Sequence, residues 1–383
     1  MYLVVIIILF AIEIIALFIL LARNKWAWPK RYGDEFSFES RHQYDPIVGY
    51  RFFPECRYGN LLTGKQGFIL NDEFFSNSDY RCKDRIRIYM FGGSTVAGTG
   101  VSNVNKTLPA ILEKKLRERF SSKIDVFNFG VGGYATSQEI VYLTELIRHR
   151  PDMVITYNGW NDCAYPMFLG GYLNEWDKNN SPLANNECSI QFRRAVARLN
   201  AGKYELYGFI FDPLKFMQSF YTVVLLKKFF QKLGKYRGFT EYLANTASEV
   251  SSRIRLMPQD AANLYISNVK AMKGICMGFE IPCYSFLQPI LLHKAKLTEQ
   301  ESVVFKSRDV LNGGGRDEIV KFYDHVVKLN NENSSPLIDL SNILGGGEET
   351  LFLDECHVND SGNELIAESI FLAVEGGVKC LLN

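Results

Sequence analysis

Short apolar segments alternate with stretches of helical periodicity from residue 86 onward, and this alternation limits the folds open to the chain. The segments of strand type are IRIYMF (86–91), IDVFNF (124–129), MVITYN (153–158), IPCYSFL (281–287) and PLIDL (336–340). The helical patterns cover residues 107–120, 137–149, a stretch that ends near Gly278, 316–330 and 361–374. Strands alternating with helices predict an α/β fold with a mostly parallel sheet covered on both faces. Ligands bind beyond the carboxyl ends of the strands in such sheets, so the residues just after each strand are the first functional candidates.

The N-terminal residues 2–22 form an almost unbroken apolar run that predicts a transmembrane helix. A helix of this length spans about 30 Å, the thickness of a bilayer core. Glu13 costs about 2.5–3.5 kcal/mol near its centre. The 16 Leu, Ile, Val and Phe residues outweigh this cost, because each contributes roughly −0.3 to −0.6 kcal/mol. A cleaved signal peptide is the competing interpretation. Arg23, Asn24 and Lys25 follow instead of a small-residue cleavage site, which favours an uncleaved single-pass anchor.

The flanking charge bears on orientation. All the positive residues near the apolar run lie on its C-terminal side, and by the positive-inside rule they keep the rest of the chain cytoplasmic.

Beyond the anchor, residues 23–85 are polar and aromatic with scattered Gly and Pro, and they predict an irregular extension around a domain formed by residues 86–383. A long insertion, residues 163–262, interrupts the alternation within this domain. Part of it, residues 216–239, is apolar, aromatic and basic. Because its charges are not separated onto one face, a helical lid packed on the core is favoured over an amphipathic helix on a membrane surface.

Charge and cysteine content narrow the classes of function. The chain has 43 Lys and Arg against 42 Asp and Glu, so no overall charge attracts nucleic acid, and no nucleic-acid partner is predicted. The eight cysteines include no closely spaced pair, so a structural zinc site is not expected. Their even number permits disulfides in an oxidising compartment, but mostly buried free thiols are expected.

Glycine-rich turns follow the first two predicted strands. After the first comes GGST (92–95), whose two glycines permit a sharp turn that exposes the Ser94 hydroxyl above the sheet. After the second comes GVGG (130–133), where the N–H of Gly133 can donate to a developing oxyanion. Both patterns also occur in ordinary turns. Neither forms a P-loop or the G-x-G-x-x-G pattern of dinucleotide-binding proteins.

Polar groups also follow the third strand and precede the final helix. Asn161 in NGWND (158–162) has an amide that can complete an oxyanion hole, and Asp162 can anchor its loop. Of the five histidines, only His357 has an aspartate, Asp354, three residues before it. A carboxylate so close in a loop can hold the imidazole Nδ1–H and turn Nε2 toward a serine. A surface turn is the alternative for each motif.

Taken together in this order, the segments GGST (92–95), NFGVGG (128–133), NGWND (158–162) and DECH (354–357) resemble the conserved segments of the SGNH (GDSL-like) hydrolases. The resemblance covers roughly residues 86–163 and 262–375, although the family's usual Gly-Asp-Ser is Gly-Gly-Ser here. It implies a three-layer, flavodoxin-like fold and no metal or organic cofactor. The roles it implies are Ser94 as nucleophile, His357 as base, Asp354 as orienter of the base, and the Ser94 N–H, Gly133 and Asn161 as oxyanion donors.

The resemblance suggests a membrane-anchored serine esterase that removes O-acyl groups, such as acetyl, from a carbohydrate, a lipid or an envelope polymer. Trp160 suits stacking on a sugar ring, although core packing also explains aromatic residues. An O-acyltransferase that passes the acyl group from the same serine to a glycan is an alternative. A non-catalytic binding protein is another, but it has no need of all four polar residues. Many relatives act outside the cytoplasm, whereas the charge flanking residues 2–22 favours the cytoplasm, so the side of the membrane stays open.

Overall fold

Five parallel strands form the central sheet of the protein, which we describe from a computed structural model. The structure describes residues 14–15, 42–45, 48–72, 79–81, 84–167, 256–307, 315–332 and 337–382. Numbered in chain order after four short N-terminal strands, the sheet strands are β5 (Ile86–Gly92), β6 (Ile124–Gly130), β7 (Met153–Asn158), β8 (Cys283–Leu287) and β9 (Leu337–Asp339). Their order is β6-β5-β7-β8-β9, the 2-1-3-4-5 order of flavodoxin-like folds. The predicted parallel α/β sheet is confirmed.

Helices cover both faces of the sheet and form three layers with it. In chain order they are α1 (Ser94–Ala97), α2 (Leu108–Arg119), α3 (Thr136–Leu146), α4 (Trp160–Met167), α5 (Pro258–Gly278), α6 (Glu299–Ser307), α7 (Gly315–Glu332) and α8 (Asp360–Leu382). Helices α2 and α8 pack together on one face, and α5 packs with α3 and α7 on the other. The strand side chains are almost all buried, since both faces of the sheet are covered.

The core shows why the two periodicities in the sequence correspond to these layers. Alternate residues of β5, among them Ile88 and Met90, lie in one cluster with Leu112 of α2 and Ile370 of α8, and all four are fully buried. The other residues of β5, such as Phe91, face the opposite layer. There Phe91 stacks on Phe129 with 5.4 Å between ring centroids. The apolar side chains that recur every two residues in the strands and about every 3.6 residues in the helices therefore pack into the same core.

The last helix is longer than the sequence pattern predicted. The Asn359 side chain accepts a hydrogen bond from the Gly362 N–H at 2.9 Å, which starts the helix near the predicted residue. The helix then continues to Leu382 instead of ending at 374. Gly377 lies within this helix and packs closely on the sheet, where a side chain would collide with the Tyr284 hydroxyl. Close packing against the sheet therefore needs glycine at a position where the sequence suggests a helix end.

The segment before the domain differs from the predicted irregular extension. It contains two antiparallel hairpins, formed by the strands β1 (His42–Asp45), β2 (Gly49–Phe52), β3 (Arg57–Tyr58) and β4 (Leu61–Leu62). The strands are two to four residues long, so they leave little periodicity in the sequence. Hydrogen bonds hold this segment to the loops of the domain. The Tyr50 hydroxyl donates to the Gly132 carbonyl at 2.8 Å, and Ile69 N donates to Asn128 O at 3.2 Å.

The helices that border the predicted insertion extend further into it than the pattern indicated. Helix α4 runs through Cys163 to Met167, and α5 begins at Pro258. The Leu256 N–H donates to the Pro166 carbonyl at 3.0 Å, so the insertion leaves and re-enters the domain at neighbouring points. The predicted lid, residues 216–239, lies outside the described residues. The five-stranded sheet and the predicted site residues all belong to the unit formed by His42–Cys188 and Ile254–Asn383.

The predicted anchor, residues 2–22, also lies outside the described residues except for Ile14 and Ile15, which are helical and exposed. Among the residues that the structure describes, no helix has both the length and the apolar character needed to cross a bilayer.

Six of the eight cysteines are described, and all six are free thiols. Cys163, Cys276 and Cys356 are buried.

Candidate active site

Ser94 is the first residue of α1 and lies just beyond the carboxyl end of β5. The preceding Gly93 has no room for a side chain, since a Cβ there would lie 2.7 Å from Asn161 Nδ2 and 3.1 Å from the Tyr134 carbonyl oxygen. The Ala97 N–H donates back to the Gly93 carbonyl at 3.0 Å, so the chain turns into a helix at once. This sharp turn leaves Ser94 half-buried, with its hydroxyl directed at a histidine from the far end of the chain.

Asn128 fixes the loop after β6 against the helix that carries Ser94. Its side chain is fully buried, donates to the Val96 carbonyl at 2.9 Å and accepts from the Gly130 N–H at 3.0 Å. Gly130 lets this happen, because a Cβ there would lie 2.7 Å from the Val96 carbonyl carbon. One amide side chain thus holds the end of β6 and the helix that carries Ser94 in fixed positions relative to each other.

The glycines that follow face Ser94. A Cβ on Gly132 would lie 3.9 Å from Ser94 Cβ, and the next residue, Gly133, has φ of +81°. This left-handed conformation favours glycine. The backbone therefore turns at Gly133, the predicted oxyanion donor, beside the site.

The loop after β7 brings Asn161 to the same edge. Asn161 Nδ2 donates to the Tyr134 carbonyl at 2.7 Å and lies against the backbone of Gly93. An amide nitrogen carries two donors, so this bond uses one of them. The next residue, Asp162, is buried and accepts from the Thr136 N–H at 3.0 Å and from its hydroxyl. Asp162 therefore anchors the loop, as its position in the motif suggested.

His357 completes a continuous hydrogen-bond chain with the serine. His357 Nε2 lies 2.7 Å from Ser94 Oγ, although the two residues are 263 positions apart. On the other side of the ring, Nδ1 lies 2.6 Å from Asp354 Oδ2. Asp354 Oδ1 accepts from the backbone N–H groups of Cys356 at 3.0 Å and His357 at 2.7 Å. The structure thus brings together all of Ser94, His357 and Asp354.

The electrostatics keep Asp354 ionised. Burial alone would raise the pKa of Asp354, but the hydrogen bond and charge of His357 and two backbone N–H donors lower it to about 2. An ionised carboxylate accepts the Nδ1–H, which leaves the lone pair of Nε2 for the serine hydroxyl. This arrangement can remove a proton from Ser94 and return it to another oxygen.

A buried ion pair supports the loop that carries Asp354 and His357, and sequence reasoning missed it. Lys294 Nζ lies 2.7 Å from Glu301 Oε2, and both side chains are fully buried. Glu301 Oε1 also accepts from the backbone N–H groups of Leu351 at 3.0 Å and Phe352 at 3.1 Å, directly before Asp354. Burial alone would raise the pKa of Glu301, but Lys294 and the backbone donors lower it to about 2.

One local signal could have found the helix that carries this pair. Thr298 and Glu301 form a capping box, in which Thr298 N donates to Glu301 Oε2 at 3.0 Å and Glu301 N to Thr298 Oγ1 at 3.3 Å. That spacing is visible in the sequence and marks the start of α6, which was not predicted. The partnership of Glu301 with the loop at 351–352 has no sequence signal, because it joins segments 50 residues apart.

A cavity of about 570 Å³ lies away from the triad, near the end of β9. His293 and Tyr323 line it, together with Asp339 and Ser341, but Ser94 and His357 do not. His293 Nδ1 is 3.2 Å from the Ser341 carbonyl oxygen, so its ring is held by the backbone rather than by a nucleophile. Burial lowers the pKa of His293. The hydrogen-bond chain at Ser94 is therefore the better candidate for chemistry.

In the comparison with known proteins, one family model matches part of the chain. Residues 90–218 match the model of the GDSL-like lipase/acylhydrolase family. No curated protein matches the sequence. Among solved structures, the acetyl xylan esterase AlAXEase is 13% identical, with a TM-score of 0.40 over 76% of this chain and 100% of its own. A lipase/acylhydrolase from Enterococcus faecalis is 14% identical, with a TM-score of 0.38 over 76% and 95%. The esterase EstA from Pseudoalteromonas sp. is 11% identical, with a TM-score of 0.38 over 77% and 99%.

Proposed function

Since residues 90–218 match the model of the GDSL-like lipase/acylhydrolase family, we propose that the chain is a membrane-anchored serine esterase, a hydrolase of ester bonds. Its proposed reaction is removal of O-acyl groups, such as acetyl, from a carbohydrate, a lipid or an envelope polymer. The observation that carries this proposal is the hydrogen-bond chain from Ser94 Oγ to His357 Nε2 at 2.7 Å and from His357 Nδ1 to Asp354 Oδ2 at 2.6 Å.

The geometry supports a two-step acyl transfer. In the first step Ser94 Oγ attacks the ester carbonyl carbon while His357 Nε2 takes its proton, and Asp354 stabilises the imidazolium that forms. Collapse of the tetrahedral intermediate expels the alcohol, which takes the proton back from His357. In the second step His357 takes a proton from water, whose oxygen attacks the acyl-enzyme. The carboxylic acid leaves, and Ser94 regains its proton.

The proposed oxyanion donors are the Ser94 N–H, the Gly133 N–H and the Asn161 amide. Asn161 is held by the Tyr134 carbonyl on one side and touches the backbone just before Ser94 on the other. A donor fixed before the reaction begins stabilises the developing charge without reorganisation. The positive φ of Gly133, directly after the Gly132 that faces Ser94, supports the same role for its N–H.

The surroundings of the triad suit a substrate with both polar and apolar parts. Trp160 is half-buried at the start of α4, next to Asn161, which supports stacking against a sugar ring. Leu353, on the loop that carries Asp354, is 44% exposed, and it lies against Gly100 after the Ser94 helix. This exposed apolar side chain suits contact with a short acyl group or a lipid.

The test is hydrolysis of p-nitrophenyl acetate by the full chain in detergent. Ser94→Ala should abolish the activity, because it removes the hydroxyl that forms the proposed acyl-enzyme. Ser369→Ala is the matched control and should keep full activity, since the Ser369 hydroxyl donates to the Leu365 carbonyl within its own helix. Equal hydrolysis by the Ser94 variant, or no hydrolysis of a broad ester panel by the unaltered chain, would contradict the proposal.

The same assay separates hydrolysis from acyl transfer. With an acetylated xylan or glycolipid as donor and a free glycan present, the proposal predicts release of acetate and no acetylated acceptor. Transfer of the acetyl group to the glycan would show instead that an acceptor hydroxyl replaces water in the second step.

The proposed anchor is residues 2–22, and the positive charges after it support a cytoplasmic catalytic domain. Protease added to intact cells should then leave the domain uncut. Cleavage before the membrane is broken would place the domain outside.

A further inference from the structure

The loop that carries the proposed base also carries a thiol. Cys356 stands directly before His357, and its Sγ lies 3.7 Å from His357 Nδ1. Asp354, Cys356 and His357 each offer one ligand atom, and these atoms all lie within 4.8 Å of one another. Cys356 is 4% exposed, whereas the side chains of Asp354 and His357 are 20% and 17% exposed. Access to this group of atoms is therefore from the side of the triad.

We propose that Asp354, Cys356 and His357 form an inhibitory site for Zn²⁺ or a similar thiophilic metal ion, which switches the proposed esterase off. A thiolate, an imidazole nitrogen and a carboxylate oxygen are the three ligand types that Zn²⁺ prefers. A water molecule supplies the fourth ligand in the tetrahedral arrangement. The inhibition rests on the proposed function, whereas metal binding does not.

The distances fit this arrangement with a small adjustment. Zn–N bonds of about 2.0–2.1 Å and a Zn–S bond of about 2.3 Å place the two ligand atoms of a tetrahedral site about 3.5 Å apart. Cys356 Sγ and His357 Nδ1 are 3.7 Å apart. Asp354 Oδ2 and Nδ1 are 2.6 Å apart, and two ligands with bonds of about 2 Å need about 3.4 Å. Binding therefore requires this gap to open by less than about 1 Å.

Metal binding at Nδ1 removes the base by fixing the wrong tautomer. In the resting site the imidazole proton sits on Nδ1 beside Asp354, and Nε2 has a free lone pair for Ser94. A metal ion takes the Nδ1 lone pair, so the imidazole proton moves to Nε2. The Cys356 thiol gives its proton to solvent, and one proton is released for each ion bound. The Nε2–H then points at Ser94 Oγ, which can no longer be deprotonated.

The ligand set also predicts selectivity. Mg²⁺ and Ca²⁺ prefer oxygen ligands, and this site supplies one carboxylate beside a sulfur and a nitrogen. They should therefore neither bind here nor inhibit. Zn²⁺ and Co²⁺ should do both.

Binding is tested directly with Co²⁺ on the full chain in detergent. A thiolate-to-cobalt absorption band should appear in the unaltered chain and in Ser94→Ala, and it should disappear in Cys356→Ser and Cys356→Ala. Cys380→Ser is the matched control, because Cys380 is the exposed thiol of the final helix and its loss should leave the band unchanged. Circular dichroism establishes that each variant is folded. A band of equal strength in the folded Cys356 variants would overturn the proposed site.

Inhibition is tested with Zn²⁺ in the p-nitrophenyl acetate assay, with each variant's activity expressed relative to its own rate in EDTA. The inhibition constant for Zn²⁺ should rise in Cys356→Ser by more than the about 10–100-fold that loss of an outer-sphere partner causes. EDTA should restore the unaltered chain, and Mg²⁺ should have no effect. Equal inhibition of both forms would show that zinc acts elsewhere and would overturn the proposal. If the unaltered chain binds Co²⁺ through Cys356 but hydrolyses no ester, the esterase proposal fails and the metal site stands.

Discussion

Replacing Glu301 by Gln removes the negative charge at the centre of the network that holds the catalytic loop. Lys294 is then left fully buried without a counter-charge, and the acceptor for the Leu351 and Phe352 N–H groups is weakened. Breaking a buried ion pair by removing one partner costs about 3–5 kcal/mol, because the remaining charge stays desolvated. We expect the free energy of unfolding of Glu301→Gln to fall by that amount near neutral pH.

The pKa of Glu301 gives an independent value for the same loss. Its lowering from 4.5 to about 2 corresponds to about 3 kcal/mol of stabilisation when the carboxylate is ionised. Because the folded-state pKa lies below the ordinary one, this contribution is present above pH 4.5 and is lost as the pH falls through about 2. Between about pH 6 and about pH 3 the folded protein should lose about 2 kcal/mol of it.

Urea denaturation followed by far-ultraviolet circular dichroism measures this difference. The gap in unfolding free energy between the unaltered chain and Glu301→Gln should shrink by about 2 kcal/mol from about pH 6 to about pH 3. Glu348→Gln is the matched control, since Glu348 forms an exposed pair with Lys296 and should change stability by less than about 1 kcal/mol. A gap that does not change with pH would refute the reasoning, because Glu301 would then not owe its ionised state to the fold.

Three further variants probe the site. Asn161→Ala should lower kcat by about 10²–10³-fold with little change in KM, since it removes one oxyanion donor, and a negligible effect would remove Asn161 from that role. Asp354→Asn should lower kcat by about 10⁴-fold because it favours the wrong tautomer of His357, and a rate within tenfold of the unaltered chain would contradict this. Burial raises the pKa of Asp162 from 3.8 to about 6, against hydrogen bonds from Thr136 that lower it. Its contribution to stability is therefore full below pH 3.8 and is lost as the pH rises through 6. In urea denaturation Asp162→Asn should lack this decline of about 3 kcal/mol, and an unchanged pH dependence would count against it.

The sequence predicted the parts of the fold whose periodicity is set by burial on both faces. Strands β5, β6 and β7 match their predicted segments to within one residue at their ends. Boundaries failed where tertiary packing overrides local preference. Helix α8 continues through Gly377, which packs against the sheet where there is no room for a side chain. No local sequence pattern indicates this packing.

The site divides in the same way. The residues predicted for the site are polar groups in turns, so they stand out among apolar strands, and Ser94, Asn161, Asp354 and His357 were singled out by that contrast. Residues that hold the loops are buried and pair over long distances. The side chains of Lys294 and Glu301 are fully buried, whereas charged residues are almost always exposed, so their residue types did not mark them as buried supports. Asn128 was noticed only as a letter of a motif, although it binds two loops together.

The topology explains why motifs so far apart in the sequence meet at one point. In the order β6-β5-β7-β8-β9, the strand that comes first in the chain, β5, lies between the next two, β6 and β7. The connections after β5 and β7 leave toward opposite faces of the sheet. A crevice opens where the order reverses, outside the carboxyl ends of β5 and β7. Ser94 follows one of these strands and Asn161 follows the other, so the proposed nucleophile and the proposed oxyanion donor both lie at that crevice. Asp354 and His357 come from the loop after β9 at the edge of the sheet, beyond β8. That loop must reach back past β8 and β7 to Ser94, which is why it needs fixed supports of its own. The buried carboxylate of Glu301 supplies one, and the bond from the Leu291 N–H to the Glu355 carbonyl at 3.0 Å supplies another.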